Sequence, residues 1–197
     1  MGSQGCGKGT QAEFICKKLG IPHISTGDLL RNVAKRNQKI KSFLDSGQLI
    51  PNDMAAEIVQ KRIVKEKKGF VLEGFPRNIA QAKEPEKFCK PDIVILIEIS
   101  GKESVRRLSF RMQCRKCNAI YGAEKKSLRS GKCDVCKGEL YRRSDDKPSA
   151  IRKRLAVYHK DTEPIIKFYE KNGILRRVNG ERPMEDVRKD IEKILSR

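Results

Sequence analysis

The sequence lacks the features of a membrane or secreted protein. None of its apolar runs approaches the roughly 20 residues that a bilayer-spanning helix needs, and we expect no signal peptide. Tryptophan is absent, aromatic residues make up 6% of the chain, and charged residues make up 35%. These features predict a cytoplasmic protein without a membrane partner. The length of 197 residues suits one domain with a small insert.

Acidic residues are also scarce relative to basic ones. The chain has 25 Asp and Glu against 44 Lys and Arg, which gives a formal net charge of +19. Such a field attracts polyanions, and both nucleotides and nucleic acids are polyanions. The charge alone does not choose between them, and much of it could be a solvated surface without a partner.

A glycine-rich motif occupies the start of the chain. Gly2, four further residues and then Gly7-Lys8 fit the spacing of a phosphate-binding loop. Backbone N–H groups would wrap a phosphate there, Lys8 would reach its outer oxygens, and a helix opening near Thr10 would add its dipole. One position departs from the general pattern, because Gly9 follows Lys8. A flexible basic arm is the alternative, but amphipathic helical spacing follows the motif.

The remaining pattern alternates helices with short apolar runs. Residues 69–74 and 93–97 read as buried strands, 174–178 as a last strand, and 184–195 as a closing helix. We expect Ser149 to cap one long helix that runs to Lys171. The alternation predicts an α/β fold with a doubly wound parallel sheet covered on both faces.

Four of the seven cysteines form two Cys-x-x-Cys pairs. Cys114 and Cys117 are separated from Cys133 and Cys136 by 15 residues, which matches zinc-ribbon spacing. Four thiolates leave no open metal position, so the predicted site is structural and folds with its ion. Zinc is the default, and a single iron stays open. The other three, at positions 6, 16 and 89, read as ordinary small residues.

Taken together, the motifs resemble the adenylate kinase family, in its form with a long zinc-bearing LID. The resemblance covers nearly the whole chain. It is carried by residues 5–11 (GCGKGTQ), 23–28 (HISTGD), 74–77 (GFPR), Asp145-Asp146 and 152–155 (RKRL). It implies a P-loop core of residues 1–24, 51–110 and 149–197, a helical NMP-binding insert of residues 25–50, and a zinc-ribbon LID of residues 111–148.

The resemblance also implies an activity and its ligands. The enzyme would move the γ-phosphoryl group of MgATP reversibly to AMP, giving two ADP, by in-line transfer in a closed site that excludes water. ATP, AMP and ADP would be its partners, Mg²⁺ would accompany ATP, zinc would be structural, and the protein would be a monomer. Phosphoryl transfer of this kind needs alignment and charge neutralisation, which arginine forks supply.

The family's site residues map onto matching positions of this sequence. The catalytic set would be Lys8, Arg77, Arg111, Arg143 and Arg154. The set around ATP would be Gly5, Cys6, Gly7, Lys8, Gly9, Thr10, Arg107, Arg111, Ile120, Tyr121 and Arg182, with Glu73 acting on Mg²⁺ through water. The set around AMP would be Thr26, Arg31, Gln48, Leu49, Ile50, Gly74, Arg77, Gln81, Arg143 and Arg154.

Two features depart from the family pattern. A central strand of about five apolar residues normally precedes the phosphate loop, whereas only Met1 precedes Gly2 here. We expect either a truncated start, or exposed core and an unmoored loop with compromised activity. The second departure is Glu73, which stands where the family usually has Asp.

Two alternative functions stay open at this point. One is another nucleoside monophosphate kinase with a UMP or CMP acceptor, against which Gln81 and Thr26 favour adenine. The other is a non-catalytic nucleic-acid-binding zinc-ribbon protein, which the positive charge suggests but the combined motifs disfavour.

Overall fold

The fold is described from a computed structural model, which describes residues 1–83, 90–122 and 130–196. Cys89 lies outside the described residues. The first ten elements along the chain are α1 (Lys8–Leu19), β1 (His23–Ser25), α2 (Thr26–Ala34), α3 (Gln38–Ser46), α4 (Asn52–Ile63), β2 (Val71–Glu73), α5 (Ile79–Lys83), β3 (Val94–Glu98), α6 (Gly101–Phe110) and β4 (Met112–Cys114). The others are β5 (Ile120–Tyr121), β6 (Leu140–Tyr141), a 3₁₀ turn (Ser144–Asp146), α7 (Pro148–Val157), a π turn (Tyr158–Thr162), α8 (Pro164–Lys171), β7 (Leu175–Asn179) and α9 (Met184–Leu195).

The core strands are parallel, as the continuous apolar runs predict. β1 pairs with β2 from His23–Val71 to Ser25–Glu73, and β3 pairs with β7 from Val94–Leu175 to Glu98–Asn179. Among the described residues these are two separate two-stranded sheets and not one continuous sheet. The structure thus confirms an α/β fold with parallel strands surrounded by helices.

The phosphate loop is anchored, contrary to the expectation that it would be unmoored. The amide of Ile97 donates to the carbonyl of Met1 at 3.0 Å, so the backbone before the loop lies beside β3. The Ser104 hydroxyl, on α6, donates to the carbonyl of Gln4 within the loop. Gly2 has φ 131°, and a Cβ there would lie 2.2 Å from the Ile97 carbonyl oxygen, so only glycine fits this close approach.

The prediction of one helix from Ser149 to Lys171 is wrong. The helix begins at Pro148 with no side-chain cap, and a π turn separates α7 from α8. Pro164 has no N–H to continue the helical ladder, and the amide of Glu163 instead donates five residues back to the carbonyl of Tyr158 at 2.8 Å. The chain therefore changes register before α8 packs against the core.

Two apolar clusters hold the parts that flank the site. One joins α2, α3 and α4 to β1 and the turn after β2; its buried members include Ile24, Leu30, Ile40, Ile50, Val59 and Phe75. The other lies beneath the phosphate loop and includes Cys6, Ile15, Ile97, Val178, Val187 and Ile191. Within the described residues, no helix is both long and apolar enough to cross a bilayer.

Candidate functional site

The phosphate loop presents a lysine at the start of a helix. Gly7 precedes α1 in the left-handed conformation, with φ 96°, and α1 begins at Lys8. The Lys8 ammonium donates to the carbonyls of Gly2 at 2.9 Å and Ser3 at 2.7 Å. The carbonyls of the loop therefore hold the Lys8 ammonium at the N-terminus of α1. A phosphate bound at this helix end could contact the ammonium and the first backbone amides of the helix.

Glu73, the last residue of β2, places a carboxylate near Lys8. Burial would raise the pKa of Glu73, but the positive charges of Lys8 and Arg77 outweigh it and hold that pKa below its usual value. The Nε2 atom of His23 lies 3.9 Å from the carboxylate. Glu73 is therefore ionised at neutral pH, as a group that orients water on a divalent cation must be.

Five arginines lie close enough to one another to interact electrostatically, and all of them belong to the predicted site. Burial and the neighbouring Arg154 lower the pKa of Arg77, and Arg31 adds to the effect. Burial and the charges of Arg111 and Arg31 lower the pKa of Arg143 to about 10. The guanidinium charges repel one another, so the cluster is a site for anions.

Two aspartates partly neutralise this cluster. Asp146, whose side chain is fully buried, accepts from Arg111 through both oxygens, and its bond with Nε is 2.7 Å long. Arg154 lies 3.1 Å from the Asp145 carboxylate and 3.4 Å from that of Asp146. Both aspartates lie near the end of the LID segment, beyond the cysteines, at the position that the resemblance singled out. Asp28 accepts from Arg31 at 2.6 Å, and Glu73 lies beside Lys8 and Arg77. Four carboxylates against five guanidinium groups and one ammonium leave a positive surplus.

A second group of predicted residues lines a pocket next to the cluster. Its walls include all the residues predicted to contact AMP except Arg31, Arg143 and Arg154: Thr26, Gln48, Leu49, Ile50, Gly74, Arg77 and Gln81. Thr26 is 2% exposed, and its buried hydroxyl has no hydrogen-bond partner within the described residues. An unpaired buried hydroxyl is costly, so a ligand atom in this pocket would satisfy it.

Gln81 is held at this pocket by contacts that the sequence did not predict. Its side-chain oxygen accepts from the backbone amide of Arg77 at 2.9 Å, and its side-chain nitrogen donates to Asn52 at 3.1 Å. Asn78 bonds both the amide of Gln81 and the side chain of Asn52. Asn52 begins α4, and Asn78 directly precedes α5. No spacing rule in the sequence links either asparagine to Gln81.

A larger cavity of about 380 Å³ separates the helical insert from the LID segment. Arg31 and Arg143 line it, together with Asp45 and Tyr141. At its edge the Ser144 hydroxyl donates to the Asp45 carboxylate at 2.9 Å. This bond joins the insert directly to the turn that leaves the LID.

The remaining residues predicted for ATP have partners of their own. Arg107 donates to Glu103 at 2.6 Å and to the carbonyl of Gly180 at 2.9 Å, and Arg182 donates to Asp190 at 2.5 Å. Ile120 and Tyr121 form β5 of the LID, and Tyr121 is 1% exposed. Their roles with ATP stay predictions.

The four LID cysteines form one cage. Their Sγ atoms all lie within 4.8 Å of one another, with Cys114–Cys136 at 3.4 Å and Cys117–Cys133 at 3.5 Å. Thiolates bound tetrahedrally at about 2.3 Å from an ion would be separated by about 3.8 Å, so the spacing fits zinc. Gly138 leaves enough space for the four sulfur atoms, because a Cβ at this position would lie 3.0 Å from the Cys114 sulfur.

The cage favours at least one thiolate. Burial would raise the pKa of Cys133, but hydrogen bonds from the Tyr121 hydroxyl and the amide of Cys136 outweigh it and lower that pKa to about 6. The three-stranded antiparallel sheet β5-β4-β6 holds the first Cys pair, and a bridge between Lys132 and Glu139 brackets the second. The donor set and the turns fit a structural metal ion.

These features are those of an α/β protein built to hold phosphate groups between a glycine-rich loop and a cluster of arginines. Comparison with known proteins gives the family: the adenylate kinase family model matches residues 1–174. The adenylate kinase of Listeria monocytogenes serotype 4b is 44% identical over 211 residues, covering 100% of this chain and 97% of that protein. The chain belongs to the adenylate kinase family.

Relatives from other lineages agree. The adenylate kinase of Archaeoglobus fulgidus is 43% identical, covering 100% of this chain and 96% of that protein. The adenylate kinase of Caldicellulosiruptor saccharolyticus is 41% identical, covering 99% of this chain and 96% of that protein.

Proposed function

We propose that this chain is an ATP:AMP phosphotransferase, which moves the γ-phosphoryl group of MgATP to AMP and releases two ADP. The observation that carries the proposal is the surplus of positive charge where Lys8 and five arginines converge beside the pocket with the unpaired Thr26 hydroxyl. Two nucleotides placed end to end would bring their phosphates into this field.

The residues would divide the work by position. Residues 5–10, including Lys8, would hold the phosphates of ATP, because they form the glycine-rich turn that opens α1 and the Lys8 ammonium lies against that turn. Arg77 would hold the AMP phosphate at the pocket wall, and Gln81 would contact the adenine edge. Arg111, Arg143 and Arg154 would stabilise the charge of the transferring group, since guanidinium forks pair two phosphate oxygens at once.

The rest of the architecture would supply closure. Core segments 1–24, 51–110 and 149–197 would form a P-loop domain, residues 25–50 the AMP-binding insert, and residues 111–148 a zinc-ribbon LID. Arg143 lies in the LID segment and Arg111 at its start, so the LID would carry arginines onto the phosphates while excluding water. Hydrolysis of ATP would then be suppressed in favour of transfer.

Two ions belong to this proposal. Glu73 would orient water on the Mg²⁺ that accompanies ATP, and Mg²⁺ would neutralise phosphate charge during transfer. The four cysteines would hold zinc, with no part in the chemistry. The expectations of a monomeric and cytoplasmic protein stay predictions.

A coupled assay of ADP formation from ATP and AMP tests the proposal. We expect turnover that depends on AMP and that falls at least about 10²-fold in Lys8→Ala, as for loss of a group that stabilises transition-state charge. Lys17→Ala, which removes an exposed lysine of the same helix, is the matched control and should retain full activity.

The alternatives predict other results. Faster turnover with UMP or CMP than with AMP would reassign the acceptor. Salt-sensitive RNA or DNA binding that survives Lys8→Ala, without turnover, would support a nucleic-acid-binding protein instead.

A further inference from the structure

The Tyr121 hydroxyl lies inside the cysteine cage. Tyr121 belongs to strand β5, and its side chain is 1% exposed. Its oxygen lies 3.1 Å from the Sγ atom of Cys133. The backbone amide of Asp134 donates to the same oxygen at 2.9 Å. The phenol therefore touches one predicted ligand and the amide that follows it.

These two contacts fix the direction of the phenol proton. A phenol has one proton to donate, and its oxygen can also accept. A backbone N–H can only donate, so the tyrosine oxygen is the acceptor for Asp134. A metal-bound thiolate has no proton and can only accept. The one arrangement that satisfies all three groups directs the phenol proton towards the sulfur of Cys133.

Cys133 is one of the two fully buried ligands, and the Tyr121 hydroxyl adds a side-chain contact to the backbone amide of Cys136 that also faces this sulfur. Cys133 and Cys114 are 0% exposed, whereas Cys117 is exposed and can be hydrated. Cys114 already accepts from the backbone amide of Lys116 at 3.4 Å. A thiolate buried without donors carries an uncompensated charge, and partners beyond the ligands typically change metal affinity 10–100-fold.

We propose that Tyr121 is a positioning residue of the metal centre: its hydroxyl donates to the Cys133 thiolate and fixes the turn that carries the second cysteine pair. The role goes beyond packing near the ATP base, which the family resemblance implies for this residue. It rests on the metal site included in the proposed function, but not on the proposed reaction.

The test compares two tyrosines of the same small sheet in the full-length chain. Tyr121→Phe removes only the hydroxyl that contacts the sulfur. Tyr141→Phe is the matched control, because its hydroxyl donates to the Gln113 side chain at 3.1 Å. Zinc affinity is measured by competition with a chromophoric chelator. We expect Tyr121→Phe to bind zinc about 10–100-fold more weakly, and Tyr141→Phe to stay within about two-fold of the original chain, as befits a tyrosine outside the ligand shell.

A spectroscopic measurement separates this role from packing. In the Co²⁺-loaded chain, a hydrogen bond to a thiolate stabilises the sulfur electrons and raises the energy of the sulfur-to-cobalt charge-transfer band. Tyr121→Phe should move that band to lower energy, and Tyr141→Phe should leave it in place. Loss of packing alone would weaken folding without this shift.

Two results would overturn the inference. If Tyr121→Phe keeps both the zinc affinity and the charge-transfer band of the original chain, the hydroxyl does not support the ligand. If the original chain itself binds neither zinc nor Co²⁺, the metal site is wrong and the inference fails with it. A loss of phosphotransfer with metal binding intact would concern the proposed reaction alone.

Discussion

Two regions flank the arginine cluster, and they are held together by different physical means. The insert helices α2 and α3 pack Leu30, Ala34 and Ile40 into an apolar cluster shared with α4 and β1. Within residues 112–122 and 130–148, the LID segment has three strands of two or three residues, and its buried apolar residues besides the cysteines are Tyr121 and Leu140. The insert is therefore stabilised by burial of apolar surface, whereas the proposed metal ion would stabilise the LID.

Because the two regions are held together differently, we expect them to differ in how they can move. The insert shares its apolar cluster with α4 and β1, so it cannot unfold without exposing apolar residues of the core. We therefore expect it to move only as a rigid unit. A region held by its own ion can stay rigid while few contacts bind it to the rest of the molecule. The closure proposed above would need a LID segment of this kind, which moves without losing the placement of its arginines. Four predictions test the contrast.

Removing the metal should have the largest effect. Structural zinc binding is worth about 10–16 kcal/mol in small zinc modules. After chelation, we expect backbone amides of residues 112–122 and 130–141 to exchange hydrogen freely, while residues 26–46 keep their protection. Hydrogen exchange with mass spectrometry reports both regions in one experiment.

A variant provides the same test without a chelator. Cys117→Ser removes an exposed ligand at little packing cost, and Lys116→Ala beside it is the control. Protection of the LID after complete removal of metal would mean that its apolar residues suffice to fold it, and the contrast would be lost.

The insert should respond to a change that leaves the LID unaffected. Ile40 is 1% exposed, so Ile40→Ala leaves a cavity and should lower the free energy of unfolding by about 2–4 kcal/mol. Urea denaturation measures this change, and Lys39→Ala on the same helix should change it by less than about 0.5 kcal/mol. Zinc affinity should not change. A weaker zinc site in Ile40→Ala would show that the two regions do not fold independently.

Asp145, near the end of the LID segment, should make a pH-dependent contribution to the free energy of unfolding. Burial would raise the pKa of Asp145, but Arg154 and the other arginines outweigh it and lower that pKa. A carboxyl with a lowered folded-state pKa stabilises the protein above its unfolded value, near about 3.9, and loses this effect as the pH falls through the folded value.

Asp145→Asn should accordingly lower the free energy of unfolding by about 2 kcal/mol at pH 7, because a charged hydrogen-bond partner is lost. The cost should stay constant down to about pH 5 and shrink below about pH 4. Urea denaturation across this range measures it, with Asp92→Asn, an exposed carboxylate, as control. A cost that does not change with pH would mean that packing, and not charge, is what the substitution removes.

Local sequence patterns predicted the elements of the site but not the contacts between them. The glycine spacing before Lys8 and the two cysteine pairs each encode a geometry within a few residues, and both were confirmed as a loop opening a helix and a four-sulfur cage. The positions of Asn52 and Asn78 around Gln81 depend on how α4 meets α5. No periodicity encodes a contact of this kind, because the partners are brought together only by packing.

The smallest predicted effect concerns a hydrogen bond that joins the two regions directly, between Ser144 and Asp45. Ser144 and Asp45 are both exposed, so water competes for their bond. Its loss in Ser144→Ala should cost at most about 1 kcal/mol, which changes an opening equilibrium by up to about five-fold. We expect a KM for AMP that rises by no more than this factor, and a kcat that is unchanged or slightly higher, because opening becomes easier.

Asp45→Asn is the informative companion, since its side-chain oxygen can still accept the Ser144 proton and should preserve most of the effect. The double variant Ser144→Ala, Asp45→Ala should behave like either alanine variant alone if the two groups act only through each other. Additive effects on KM would show that Asp45 acts on the neighbouring Arg31–Arg143 cavity and not as a link between the insert and the LID. In that case, the two regions would be coupled only through the substrate phosphates that they enclose.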